Sequence, residues 1–202
     1  MRPTFRRLAH LSMLSVVAVA ACRRPQGTSA AAPAPSAAPS SASSSAPSGG
    51  RVSQSNVVAI ILAANNTDLS YARLVPARAS SSEVKAFAQR MLTDHTLLNN
   101  RINDISTRDR ITAEDNAISL DFRDHSAARR DILRELEGAK FDSTYIANEI
   151  QYHQELLDAI SGVLIPSTKA GELRDFVTSL RPAVSAHLAH AEQVRATLAS
   201  RK

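Results

Sequence analysis

The sequence predicts an all-α protein, an antiparallel bundle of four to five helices that follows a disordered N-terminal tether. From residue 51 onward apolar residues recur at spacings of three and four, which is the helical period. In the same region glycine and proline become rare, and charges of both signs are interspersed. A strand at residues 57–62 is the alternative for that segment, but one strand without a partner would leave its backbone groups unpaired.

Two helices are expected in the first half of this region. The first ends near Ala79, before three consecutive serines, and Ser82 is the predicted N-cap of the second, which reaches the polar run at residues 106–110. Their predicted inward positions are Val57, Ile61, Asn65, Asp68, Ala72 and Val75, then Val84, Phe87, Met91, Asp94 or His95, Leu98, Ile102 and Ile105.

Three further helices are expected after residue 110. The third starts at about Ala113 and is stopped by Gly138, the fourth extends from about Phe141 to Gly162, and the fifth starts at about Lys169 and should kink at Pro182. Their predicted inward positions are Ile118, Phe122, His125, Ile132 and Leu136; Ile146, Ile150, His153, Leu157 and Ile160; and Leu173, Phe176, Leu180, His187, Ala191, Val194 and Leu198.

The first 21 residues have the features of a bacterial lipoprotein signal peptide. A basic start and an apolar stretch of about 14 residues precede the sequence Val19-Ala20-Ala21-Cys22, and Cys22 is the only cysteine. We expect cleavage before Cys22 and lipidation of its sulfur and amine, so the membrane is the predicted partner of the N-terminus. The alternatives are an ordinary secretory signal or a short transmembrane anchor, although a spanning helix needs roughly 20 apolar residues.

Residues 22–50 are predicted to be a flexible linker between the lipid and a domain at residues 51–202. Within residues 25–50, 24 of 26 positions are Ala, Ser, Pro or Gly, a composition that cannot bury enough apolar surface to fold. Such a tether would span roughly 30 Å as a coil and about 80 Å when extended. The residue after Cys22 is Arg23. Under the usual Gram-negative sorting rule, an Asp at this position would retain a lipoprotein in the inner membrane, so Arg23 favours the periplasmic side of the outer membrane.

The charge distribution argues against a nucleic-acid-binding protein. The net charge is +5, but five arginines precede residue 51, and the remainder has 19 basic and 19 acidic residues. The predicted domain is therefore formally neutral and lacks the basic stripe that a phosphate backbone requires.

Several ionisable residues fall on the predicted apolar stripes. In an antiparallel bundle Asp68, Asp94 or His95, His125 and His153 would lie at similar depths, whereas His187, counted from Pro166, would be offset by roughly 12 Å. They could bind a transition metal, for which imidazole and carboxylate groups are suitable ligands. The favoured explanation is a hydrogen-bonded polar layer that fixes helix register and requires no cofactor.

Recognisable catalytic motifs are missing from the sequence, and we therefore predict a non-enzymatic protein. Phosphate-binding loops, nucleophile elbows and paired cysteines are absent, as is the Glu-x-x-His spacing of di-iron helices. Glu149 and His153 are four residues apart and do not match that spacing. Tyr145 and Tyr152 lie close to His153 along the helix, and core packing is the favoured interpretation of both.

The segment from Ser82 to Thr96, with its Phe-Ala-Gln-Arg-Met and Asp-His sequences, closely resembles the signature helix of domain-of-unknown-function family 4142. The resemblance covers about residues 54–199 and continues through Asn66-Thr67-Asp68-Leu69, through residues 141–145 leading to His153, and through Leu180-Arg181-Pro182 leading to His187. It implies a ferritin-like bundle, usually exported and often lipid-anchored, without an established activity. Asp68 stands where that family usually has Glu.

Two functional hypotheses follow. The favoured one is a lipid-anchored envelope protein with a structural or stress-related role, which acts through protein or cell-wall contacts. The alternative is metal binding for storage, sensing or protection against oxidative stress, with Asp68, Asp94, His95, His125, His153 and His187 as candidate ligands. The sequence leaves the partner and the oligomeric state open.

Overall fold

A computed structural model describes residues 52–201, and all the regular structure in this range is helical. The elements are α1 (Gln54–Ala72), α2 (Val75–Arg78), α3 (Ser82–Arg108), α4 (Ala117–Arg134), α5 (Gly138–Ala159), a π-helical turn (Ile160–Leu164), α6 (Ile165–Ser167) and α7 (Glu172–Ser200). Five of these helices are long. The prediction of an all-α bundle is confirmed, while the predicted signal peptide, Cys22 and the linker lie outside the described residues.

Capping side chains determine where the helices begin. Ser53 and Asn116 each form a capping box at the start of α1 and α4, and Ser81 accepts hydrogen bonds from the backbone of Glu83 and Val84 at the start of α3. The N-cap of α3 is therefore Ser81, one residue before the predicted Ser82. Helix α4 begins four residues later than expected, because Asn116 provides the cap.

Helices α1, α3, α5 and α7 form a four-helix bundle in which neighbouring helices are antiparallel. Helix α1 contacts α3, α3 contacts α7, and α7 contacts α5. Helices α3 and α5 run in the same direction, so the chain must return along the bundle between them. Helix α4 makes this crossover on the outside, parallel to α1, with Thr67 donating to the Phe122 carbonyl and Asn56 to the Glu114 carbonyl.

The prediction for the inward face of α4 was wrong for His125 and Ile132, whereas Ile118, Phe122 and Leu136 are partly buried and pack against the core as predicted. The buried residues of α4 are Ser119, Ser126 and Leu133, whereas the side chain of His125 is 70% exposed and contacts Asp121. Ile132 is also exposed, at 59%. Because α4 lies outside the bundle and approaches α1 closely, small serines occupy its contact face, and His125 is rotated by one residue away from it. His125 is thus excluded from the bundle core.

The chain between α5 and α7 is longer than expected. Helix α5 begins at Gly138, which has φ of +59°, and continues past Gly162 through the π-helical turn and α6. Helix α7 then extends without a break through Pro182. Within residues 52–201, none of the helices combines the length and apolar character needed to cross a membrane.

A buried carboxylate joins the start of α5 to the start of α3. Asp142 is 2% exposed and accepts hydrogen bonds from the backbone nitrogens of Ser80 and Ser81 at 3.2 and 2.9 Å, and from the Ser80 hydroxyl. The sequence analysis did not identify this contact. It holds the chain that enters α3 against the bundle, which sets the position of the helix carrying His95.

Candidate metal centre

Each of the four bundle helices contributes an ionisable side chain to one layer of the core. Asp68 comes from α1, His95 from α3, Glu149 and His153 from α5, and His187 from α7. Asp68, Glu149 and His153 are fully buried, and His95 and His187 are 1% and 3% exposed. Buried ionisable groups are rare unless they are paired or coordinate a metal, so five at one level require an explanation.

The groups lie close enough to act on a common ligand. Asp68 Oδ2 is 3.1 Å from His95 Nε2 and 3.5 Å from His153 Nε2. The three imidazole rings form a triangle, with centroids 5.4 to 6.1 Å apart. Ligand atoms of His95, His153 and His187 lie within 4.8 Å of one another, and so do those of Asp68, Glu149 and His153.

Each of the three imidazoles is held in place by a hydrogen bond from its outer nitrogen. His95 Nδ1 donates to Asn65 Oδ1 at 3.0 Å, and His153 Nδ1 donates to the backbone carbonyl of Glu149 at 2.9 Å. His187 Nε2 donates to Asp94 Oδ2, also at 2.9 Å. These bonds fix the ring orientations; the other nitrogens of His95 and His153 face Asp68 Oδ2, and His187 Nδ1 is buried without a hydrogen bond.

The other ionisable atoms of the cluster are buried without a hydrogen bond in the protein. They are Nε2 of His95 and His153, Nδ1 of His187, and both carboxyl oxygens of Asp68 and Glu149. Of these, His95 Nε2 and Asp68 Oδ2 lie 3.1 Å apart as an ion pair, and Glu149 Oε2 lies 3.5 Å from the outer nitrogen of His153. Buried polar atoms without hydrogen bonds are costly unless something binds among them.

The ligand spacing agrees with a metal coordination sphere. Two ligands at about 2.1 Å from one ion are about 3.0 Å apart at a right angle and about 3.4 Å apart at the tetrahedral angle. The observed separations of Asp68 Oδ2 from the two histidine nitrogens, 3.1 and 3.5 Å, match these values. The residues present therefore fit a metal ion in both chemistry and spacing.

Asp68 and His95 each favour the charged form of the other. Burial alone would raise the pKa of Asp68, but the charges of His95, His153 and His187 outweigh this effect, and the pKa lies below its ordinary value. Burial likewise tends to lower the pKa of His95, whereas the Asp68 carboxylate raises it above its ordinary value. Asp68 is thus an anion at neutral pH.

Burial favours the neutral forms of the remaining three groups. Burial raises the pKa of Glu149 well above its usual range, and repulsion by Asp68 adds to this effect. Burial also lowers the pKa of His153 to about 4 and places the pKa of His187 below its ordinary value. Neutral imidazoles keep the lone pair that a metal ligand needs.

Tyrosines form one wall of the site. Burial raises the pKa of Tyr145 and Tyr152 well above their usual range, so both remain protonated. The Tyr152 hydroxyl donates to the Ala64 carbonyl at 2.7 Å, and the Tyr152 ring packs edge-on against Tyr71 and His153. Both tyrosines thus pack in the core, as the sequence indicated, and also screen the cluster from solvent.

The sequence-based placement of the candidate residues was partly correct. Asp68, His95 and His153 share a layer, as expected, and His187 joins them although a 12 Å offset was expected. The error came from counting from Pro166, which belongs to the short helix before α7; His187 is 15 residues beyond Glu172. Asp94 lies at the edge of the layer, 33% exposed, and contacts His187 and Arg90.

Glu149 and Asn65 belong to the site but were not among the candidate ligands. Glu149 follows Ile146 by three residues and precedes His153 by four, so it occupies the buried stripe of α5. The helical spacing of Glu149 from Ile146 and His153 is the signal in the sequence that indicates its burial. Asn65 was placed on the inward face of α1 without a role, and its partner on another helix could not be inferred from periodicity.

Comparison with known proteins identifies one family. A family model described as "Domain of unknown function (DUF4142)" matches residues 36–194. No curated protein and no solved structure matches the chain.

Proposed function

The chain belongs to the DUF4142 family, and from this premise we propose that its helical domain binds a transition-metal ion in the bundle core. The ligands are His95 Nε2, His153 Nε2, His187 Nδ1 and the Asp68 carboxylate, with Glu149 as a second carboxylate in reach. Asp94 and Asn65 act as positioning residues for His187 and His95. His125, which is exposed on α4, has no part in the proposal.

One observation carries the proposal: three buried imidazoles, whose ligand atoms lie within 4.8 Å of one another, each have one nitrogen hydrogen bonded and the other without a hydrogen bond. Histidines that bind metals almost always donate their second N–H to a carboxylate or carbonyl group. All three rings here follow that rule, each with a different acceptor. A polar layer that only fixed register would satisfy its members by bonding them to each other; Asp68 and His95 are paired in this way, but His187 Nδ1 and the Glu149 carboxyl oxygens have no hydrogen bond.

Charge balance favours a divalent cation. Asp68 and Glu149 supply two negative charges when both are ionised, and the three imidazoles are neutral ligands, so a divalent ion would give a site with no net charge. A neutral site avoids the large desolvation cost of a buried net charge. Three imidazoles suit zinc, iron, copper or nickel better than calcium or magnesium, which prefer oxygen ligands.

Metal content tests the proposal. The full chain, purified without an affinity tag, should contain about one metal ion per chain by elemental analysis, and His187→Ala and His153→Ala should lose it. His190→Ala is the matched control, since His190 lies on the same helix as His187 but packs against Phe87 outside the cluster. A wild-type protein that stays metal-free after incubation with zinc, iron, copper and manganese would refute the proposal.

The ferritin-like assignment, which the family resemblance implies, is also a proposal. It is supported by the bundle topology, because ferritin-like folds are four-helix bundles with one long crossover connection. In this chain the crossover is the segment that contains α4.

Lipid anchoring at Cys22 and location at the periplasmic face of the outer membrane are further proposals, which the N-terminal sequence supports. Cys22→Ser should abolish acylation and move the protein from the membrane fraction to the soluble fraction. Retention of this variant in the membrane fraction would contradict the anchor. A structural or stress-related envelope role without catalysis, through protein or cell-wall contacts, stays a prediction.

A further inference from the structure

A small cavity lies directly beside the cluster, one helical turn along the bundle axis. Its volume is about 30 Å³. Four of its lining residues each lie three positions from a member of the cluster, toward the same end of the bundle: Asn65 from Asp68, Leu98 from His95, Leu156 from His153 and Val184 from His187. Three residues of helix rise about 4.5 Å, so the cavity is within reach of a small molecule bound at the centre of the layer.

The wall of this cavity is almost entirely apolar. Besides His95 and Asn65, the lining consists of aliphatic side chains and Phe122, with Ile160 and Leu164 contributed by the π-helical turn. Such turns occur frequently at functional sites. A charged molecule would lose its hydration in this space without gaining a counter-charge, so the cavity selects against ions.

Asn65 presents an unused donor at the cavity. Its Oδ1 accepts from His95, but its side-chain nitrogen is buried and has no protein partner, and the residue is 6% exposed. A buried water usually makes about three hydrogen bonds, and this wall offers only two polar residues. The donor therefore suits a small, weakly accepting molecule better than it suits water.

We propose that this cavity admits a neutral diatomic molecule of the dioxygen and nitric oxide class to the metal, with the Asn65 amide as its hydrogen-bond donor. This inference rests on the proposed metal site and adds the class of its exogenous ligand. The volume leaves room for about two non-hydrogen atoms, since roughly 10–15 Å³ of such space accommodates one atom the size of a water oxygen. Only reversible binding is proposed.

Nitric oxide is a suitable probe. The full chain is loaded anaerobically with Fe²⁺ and titrated with nitric oxide, and the iron–nitrosyl signal is followed by electron paramagnetic resonance. We expect one adduct per iron. Ala159→Leu, which extends a side chain into the cavity, should weaken nitric oxide binding at least tenfold without lowering the iron content. Ala147→Leu, on the exposed side of the same helix, is the control and should bind as wild type.

A second variant tests the same inference independently, in case Ala159→Leu does not fold. Leu164→Ala widens the cavity and should raise the nitric oxide association rate at least threefold. Iron binding without an adduct in the wild type, or adducts insensitive to both cavity variants, would overturn this inference and leave the metal site intact. Failure of the wild type to bind iron or any other transition metal would overturn both.

Discussion

Removal of the metal should destabilise the folded domain by an amount that the structure allows one to estimate. Asp68 Oδ2 already lies at ligand spacing from two histidine nitrogens, at 3.1 and 3.5 Å. Little of the binding energy is therefore needed to rearrange the site, and most of it stabilises the folded state. At a free metal concentration of 1,000 Kd this amounts to about 4 kcal/mol.

For a domain of this size, 1 kcal/mol corresponds to about 2–4 °C in melting temperature, so chelation should lower Tm by about 8–16 °C. The assay is calorimetry of the native protein before and after EDTA treatment, and after the metal is restored. His153→Ala should melt at the same temperature with and without chelator. His190→Ala should keep the full response of the wild type.

The opposite pattern would refute this reasoning. If the wild type melts at the same temperature with and without chelator, and His153→Ala lowers Tm equally in both conditions, the cluster acts as a metal-free polar layer. The unpaired inward atoms would then be satisfied by rearrangement or by solvent.

Three further predictions concern neighbouring residues. Asp94→Asn should lower metal affinity by about 10- to 100-fold in a competitive titration, because it weakens the hydrogen-bond acceptor that orients the imidazole of His187. Asp121→Asn, which changes the carboxylate beside exposed His125 on α4, should leave metal affinity unchanged. Asp142→Ala should lower the free energy of unfolding, measured in urea, by about 2–4 kcal/mol, because three hydrogen-bond donors lose their acceptor. The metal content should not change. An effect no larger than that of the control Asp158→Ala would contradict this prediction. In the metal-free protein the pKa of Glu149 is raised in the folded state. As the pH rises above 4.5, wild type should therefore lose free energy of unfolding relative to Glu149→Gln, by up to about 1.4 kcal/mol per pH unit. A constant difference between the two proteins from pH 4 to pH 7 would show that Glu149 is not held protonated.

The sequence predicted the bundle well because its four core helices bury continuous apolar stripes. The same rule placed Asp68, His95 and His153 in one layer, since each interrupts a stripe and the connections on either side are short. Helical periodicity cannot predict the distances between these side chains or the tautomers of the histidines. Both depend on specific hydrogen-bond partners, such as Asn65 for His95 and the Glu149 carbonyl for His153.

The failures have two physical causes. His125 was predicted to share the inward face of α4 with Ile118 and Phe122, and these two do pack against the core. Helix α4 contacts the bundle from outside along a stripe that includes Ser119 and Ser126, and His125 lies beside this stripe and is exposed. His187 was placed too far along α7 because the π-helical turn and α6 take up residues that the count assigned to the last helix. Both errors concern the way a helix is attached to the bundle, which local spacing does not encode.

The most direct test of the metal site is anomalous X-ray diffraction from crystals of the untagged protein, measured at the absorption edge of the metal that elemental analysis finds. The account predicts one peak within about 2.0–2.3 Å of His95 Nε2, His153 Nε2, His187 Nδ1 and an Asp68 oxygen. A map without a peak at this position, in crystals of protein exposed to zinc, iron, copper and manganese, would contradict it.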